Sequence, residues 1–275
     1  MARMALTVAA AALATVAAQA QDLAPGIRAE AMLSDGWAEP DGARVAGLSI
    51  ALAEGWKTYW RAPGEAGIPP LFDWSGSRNV AAVEVVWPTP HVFDSFGIAT
   101  IGYSDHVTLP LRVTLVDATA PASLALALDF GVCAEICVPE RAELTLDLPA
   151  EAPGAPGGPI ASALARAPLP GSEAGLARAE CALIGAGAER RFEARLVFEQ
   201  APPRDALLVV EGPPGAWFAP PVLRVEGRAL VAEGEARLWD PALWIGRDAL
   251  RLSLVSPAGV IEQRGCAAPG APSGG

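Results

Sequence analysis

Two cysteines separated by three residues, Cys133 and Cys137 in FGVCAEICVPE, have the clearest capacity for chemistry in this chain. Such a pair has three uses: it closes a structural bridge across a turn, it exchanges electrons with other dithiols through a thiolate, or it supplies half of a soft-metal site. Close spacing favours exchange over structure, because a small loop gains little from cross-linking and stores strain easily. A metal site needs further ligands, and His91, His106 and Met32 are the ones available. Neither histidine stands in a ligand-spaced motif with the thiols. Cu(I) binding is therefore a third and weaker reading, and no metal ligand or cofactor is assigned. The chain has no Gly-rich phosphate loop, no HExxH and no serine in a nucleophile elbow, and its carboxylates are scattered.

The elements that must position the pair are strands. Before it, Leu124, Leu126, Leu128 and Phe130 alternate onto one face; after it, Leu144, Leu146 and Leu148 do the same. A period of two is the mark of a half-buried strand, so the cysteines are expected at the rim of a hairpin. Pro139, lacking a donor N–H, suits the mouth of that hairpin. Further runs at 45–52 (VAGLSIAL), 80–87 (VAAVEVVW) and 107–115 (VTLPLRVTL) read as strands, the last at an edge or interrupted because of Pro110. Residues 55–76 gather Trp56, Tyr59, Trp60, Phe72 and Trp74 in a loop-rich stretch whose aromatics are expected to fill or cap the core. Residues 88–104 are too long for a hairpin turn and are expected as a loop, with a lid as one use. Many short strands and near-absent helical periodicity predict an all-β chain built on an antiparallel sandwich, residues 21–149.

Residues 150–175 are dominated by Pro, Gly and Ala and read as a linker with a short helix near 160–167. Strand-like runs then return at 192–198, 206–210, 222–225, 229–232 and 249–255, predicting a second, smaller β-domain over 176–267. Cys181 and Cys266 lie at its ends, where a structural disulfide would close the domain on itself. Trp217, Trp239 and Trp244 are expected in its core. The tail 268–275 is expected to be disordered. At the other end, Arg3, an apolar run and the small-residue end Ala18-Gln19-Ala20 make residues 1–20 an export signal. No later stretch is apolar and long enough to span a bilayer. A formal net charge of −11 argues against nucleic acid and anionic membrane surfaces as partners.

Several stretches together resemble a known family. They are WKTYWRAPGEAGIPPLFDW, VVWP, HVFDSFG, IGYSDHVTLPLRV and FGVCAEICVPE, which cover about 27–150 in order. The segment is similar to the N-terminal periplasmic domain of the thiol:disulfide interchange protein DsbD, and more so to its ScsB-type relatives. The resemblance implies an immunoglobulin-like sandwich with a redox cysteine pair at one end. It implies electrons taken from a membrane-embedded thiol reductase and passed to periplasmic thioredoxin-fold proteins, in a setting that includes cytochrome c biogenesis. Carried over, Cys137 forms the mixed disulfide, Cys133 resolves it, and Phe96 shields the pair from a cap loop with Asp94, Ser95 and Gly97. Ser95 stands where better-known members carry a glutamate, and the cysteine spacing here is shorter than theirs. Asp94, Asp129 and Glu135 are the acids expected to raise the thiol pKa values. Because the chain carries neither the family's transmembrane domain nor its thioredoxin domain, the expectation is a periplasmic exchange component fed by a separate membrane protein, one part of a protein-disulfide reductase system. The alternative is a non-catalytic interaction module in which the bridge is structural.

Overall fold

The computed structural model describes residues 23, 26–95, 97–152 and 154–270. The segment read as an export signal, Phe96, and the last five residues of the tail lie outside them.

Alternating apolar residues produce the strands of the first half. These are β1 (Ala29–Ala38), β2 (Arg44–Leu52), β3 (Lys57–Gly64), β4 (Leu71–Asp73), β5 (Val80–Val85), β6 (His91–Ser95), β7 (Ile98–Ser104), β8 (His106–Leu115), β9 (Ala122–Cys133) and β10 (Cys137–Leu148). They form two antiparallel sheets, one in the order β1-β2-β8-β5 and one in the order β10-β9-β3-β7-β6, with β4 also on β9. Leu48, Leu109, Leu111 and Val113 of the first sheet share one buried cluster with Trp60, Ile101, Leu124, Leu126 and Leu128 of the second. Each such side chain contributes on the order of 1.5–3 kcal/mol on burial. This is an immunoglobulin-like antiparallel sandwich, the fold class anticipated above.

The segment between the two halves is not a free tether. Its helix among the described residues, α1 (Gly158–Leu164), buries Ile160 and Ala163 and packs Ile160 against Trp37 and Val45 of the first sandwich. The second half then adds β11 (Leu169–Pro170), β12 (Leu176–Ile184), β13 (Glu189–Phe198), β14 (Leu207–Glu211), β15 (Ala216–Phe218), β16 (Val222–Glu226), β17 (Ala229–Leu238), β18 (Arg251–Ser256) and β19 (Gly259–Arg264). Their sheets run β11-β19-β18-β14 and β12-β13-β17-β15, with β16 also on β17. Cys181 and Cys266 are joined as a disulfide across 85 positions, at the end of the chain's last bridge to β12.

The sheet β11-β19-β18-β14 is covered on both faces. Leu208, Val210, Leu252 and Leu254 enter the second core, while Leu207, Val209, Val255 and Val260 pack with the first. A cluster of charges fixes the same junction: Arg61 bonds Glu211 through two nitrogens, Glu262 at 2.7 Å and the buried hydroxyl of Ser253 at 3.0 Å.

Three expectations need correction. Pro110 lies in β8, which has β2 on one side and β5 on the other. Its carbonyl accepts from Val86 N just beyond the end of β5, so its missing donor falls where that ladder has run out. Residues 88–104 are not a long loop but the hairpin β6–β7, turning at Ser95–Ile98. Trp239 and Trp244 are 77% and 80% exposed, on the connection between β17 and β18, because that segment runs outside both sheets of the second half.

Candidate functional site

The hairpin β9–β10 keeps one unbroken register from Leu148↔Ala122 to Cys137↔Cys133. Cross-strand pairs share a face, so both sulfurs leave the hairpin on the same side, and they are joined as a disulfide with Cα atoms 4.1 Å apart. Leu124 through Val132 at even positions face the sandwich core, which puts Gly131 and Cys133 on the opposite, outer face. The two cysteines differ sharply in access: Cys133 is 6% exposed, whereas Cys137 opens β10 at the surface. The connecting residues Ala134, Glu135 and Ile136 are exposed, and Ile136 stands 68% in solvent.

The neighbouring strand β3 supplies the other groups on that face. Lys57 pairs with Cys133 and Thr58 with Val132; Thr58 Oγ1 donates to the Gly131 carbonyl at 2.9 Å. Tyr59 reaches across β9 to place its hydroxyl 3.1 Å from Cys137 Sγ. A disulfide sulfur carries no hydrogen, so the tyrosine is the donor. The reach is possible because Gly131 has no side chain: a Cβ there would stand 3.1 Å from the Tyr59 ring and 2.7 Å from Ile68 Cβ. Gly67 backs the ring from the other side, where a Cβ would come within 2.9 Å of it. Burial pushes the Tyr59 hydroxyl above the ordinary phenol range, so it remains a protonated donor. Lys57 turns the other way, onto Thr100 Oγ1 at 3.3 Å and the face of Phe93 at 5.1 Å, and burial draws its ammonium below the usual lysine range.

The acids named from sequence are not all at the sulfurs. Glu135 is in the loop between them. Asp129 faces solvent and pairs with Arg141 at 3.4 Å. Asp94 closes the β6–β7 turn by accepting from Gly97 N at 2.8 Å; Ser95 ends β6. His91, His106 and Met32 stand on three different strands, β6, β8 and β1, and no group of three His, Cys, Asp or Glu side chains gathers among the described residues. Tyr59 is the site residue that sequence reasoning assigned to the core. The outer face of β9 is small along much of its length, with Ser123, Ala125 and Ala127 preceding Gly131, so the glycine did not stand out in the sequence as the gap that the ring crosses.

An outer-face disulfide between one exposed and one buried cysteine, with a fixed hydroxyl donor at the exposed one, is equipped for thiol–disulfide exchange. Residues 29–149 match the family model described as thiol:disulfide interchange protein DsbD, N-terminal. No curated protein sequence matches the chain. Among solved structures, the N-terminal periplasmic domain of ScsB from Proteus mirabilis superposes with a TM-score of 0.63 at 24% identity, covering 88% of this chain and 92% of that one. That likeness is one of fold, and it extends well past residue 149 into the second half.

Proposed function

We propose, from the premise that residues 29–149 are a domain of the DsbD N-terminal family, that this protein relays electrons to thioredoxin-fold partners through Cys133 and Cys137. The difference in exposure between the two cysteines supports this most directly. In the reduced pair, the Cys137 thiolate attacks a partner disulfide, forming a Cys137–partner bond and releasing the partner's other sulfur as a thiolate that takes up a proton. Cys133, deprotonated, then attacks Cys137 Sγ, closes the intramolecular bridge and releases the second partner thiol. Two electrons and two protons pass to the partner. A membrane-embedded dithiol reductase would restore the pair by the reverse sequence, and the compartment would be the periplasm, as it is for the ScsB domain.

Tyr59 serves this cycle at Cys137, where its hydroxyl donates to whichever charge state the sulfur holds. Ile136 and Ile68, exposed beside the bridge, offer a partner apolar contact. A purely structural role is poorly served by the same geometry. Twelve ladder pairs already hold β9 to β10, and a bridge over four positions removes little chain entropy. The Cys181–Cys266 bridge, closing 85 positions, is the structural one.

The test is the reduction potential of the Cys133–Cys137 pair, together with trapping of a thioredoxin-fold protein by single-cysteine variants. Cys133→Ser is expected to accumulate a stable mixed disulfide and Cys137→Ser to accumulate none. A potential well below about −300 mV with no exchange would leave the bridge as a staple.

A further inference from the structure

Between the two halves of the molecule lies a groove of about 390 Å³, within the range of small-ligand and peptide sites. Five consecutive residues of β14, Leu207–Glu211, all line it. A strand presenting one face offers every second residue; a run of consecutive ones means that the groove follows the strand's edge. β14 is the last strand of its sheet, and among the described residues its one ladder partner is β18. None of its main-chain groups bonds outside that ladder among those residues. Ladder residues alternate in direction, so about half of the N–H and C=O groups of β14 face the groove.

The chemistry of the walls narrows the occupant. Trp217 and Phe218 of β15 form one side; Pro63, Pro69 and Ile101 form the other. Unpaired main-chain groups in a row are matched by the main chain of an extended segment, and apolar walls on either side receive its side chains. Five residues of strand offer about 17 Å of such edge. Glu65 stands exposed at the lining, and the whole chain is acidic, which favours a segment with basic flanks.

The groove and the exchange site share one wall segment. Pro63 and Pro69 belong to the segment whose Gly67 backs the Tyr59 ring and whose Ile68 covers Gly131. A polypeptide docked over Cys137 therefore meets the groove on the far side of that one segment. We propose that an extended strand of the exchange partner adds to the free edge of β14 in this groove; the identity of the occupant as the exchange partner rests on the reading above.

The probe is a seven-residue peptide of alternating valine and threonine with a lysine at each end, titrated into the oxidised full chain while tryptophan fluorescence and amide NMR shifts are followed. It contains no cysteine, so its binding is independent of exchange. Saturable binding is expected, with shifts at Leu207–Glu211, weakened at least tenfold when alternate peptide nitrogens are methylated and at least fivefold in Trp217→Ala. No saturation up to millimolar peptide, or equal binding of the methylated peptide, would overturn the proposal whether or not Trp217→Ala folds. In a second arm the same peptide, joined through an added cysteine to glutathione, is expected to exchange with reduced protein at least fivefold faster than glutathione disulfide. An equal rate would overturn the assignment of the occupant to the exchange partner. Failure of glutathione disulfide itself to exchange would sink the redox reading, leaving the first arm to decide the groove.

Discussion

A hydroxyl 3.1 Å from Cys137 Sγ alters that sulfur's fate when the bridge opens, because a thiolate gains more from a donor than a disulfide does. Hydrogen bonds to charged groups contribute about 1.5–3 kcal/mol, so Tyr59→Phe is expected to slow exchange by roughly ten- to a hundredfold and to raise the thiol pKa. Stopped-flow exchange and thiolate absorbance at 240 nm read both; unchanged values would show that the contact is incidental. The hydroxyl's raised pKa also fixes a pH signature. A phenol ionised more easily unfolded than folded contributes stability below about pH 10 that is lost as pH rises further. Alkaline unfolding should therefore shift to higher pH in Tyr59→Phe. The cysteine pair stood out in the sequence, but its spacing left bridge, exchange and metal binding open, and the resemblance of the surrounding stretches decided for exchange. Tyr59 did not stand out: nothing in the sequence gives the β3–β9 register that carries its ring over Gly131 and onto Cys137. The engagement of Asp94 was equally hidden, since its bond from Gly97 N depends on the turn that brings the two together.

At the scale of elements, the site depends on a bare patch in β9. Gly131→Ala puts a methyl group 2.7 Å from Ile68 Cβ and 3.1 Å from the Tyr59 ring, with Thr58 bonded to the same residue's carbonyl. Overpacking of this kind typically costs about 1–3 kcal/mol. The expected result is that loss in urea unfolding, together with slowed exchange as the ring is displaced. Loss of stability with unchanged exchange would separate the glycine's packing role from the positioning of Tyr59. The hairpin itself was readable because Leu124, Leu126 and Leu128 alternate so regularly and are buried in the order the period demands. The β6–β7 hairpin was not, because it carries exposed Val92 and Ile98 and so lacks a clean apolar face. β8 shows the limit of a single-residue rule. Pro110 does not bar β8 from the middle of the sheet, because it stands where the β5 ladder ends and its carbonyl still takes Val86 N.

For the whole molecule, the relation of the two halves turns on Arg61. A register shift in β3 after Tyr59 re-aims the strand, so that two residues beyond the exchange site the chain grips the second half. The guanidinium is 11% exposed and lies 4.0 Å over Trp60, with Glu211, Glu262 and Ser253 around it. Such a contact is invisible in sequence, since Arg61 lies 150 positions from Glu211 and 201 from Glu262. Arg61→Met keeps most of the stem's packing but leaves two shielded carboxylates to Arg251 and Arg264, which are more distant from them. Breaking a buried pair from one side costs about 3–5 kcal/mol; the remaining arginines reduce that here to roughly 2–3 kcal/mol. The loss should appear as a lowered midpoint in urea unfolding at neutral pH. Small-angle scattering should register a wider distribution of particle sizes if the clamp sets the angle between the halves. An unchanged scattering curve with the stability lost would instead assign the fixed geometry to Leu207, Val209, Val255 and Val260, whose apolar faces join the first core directly.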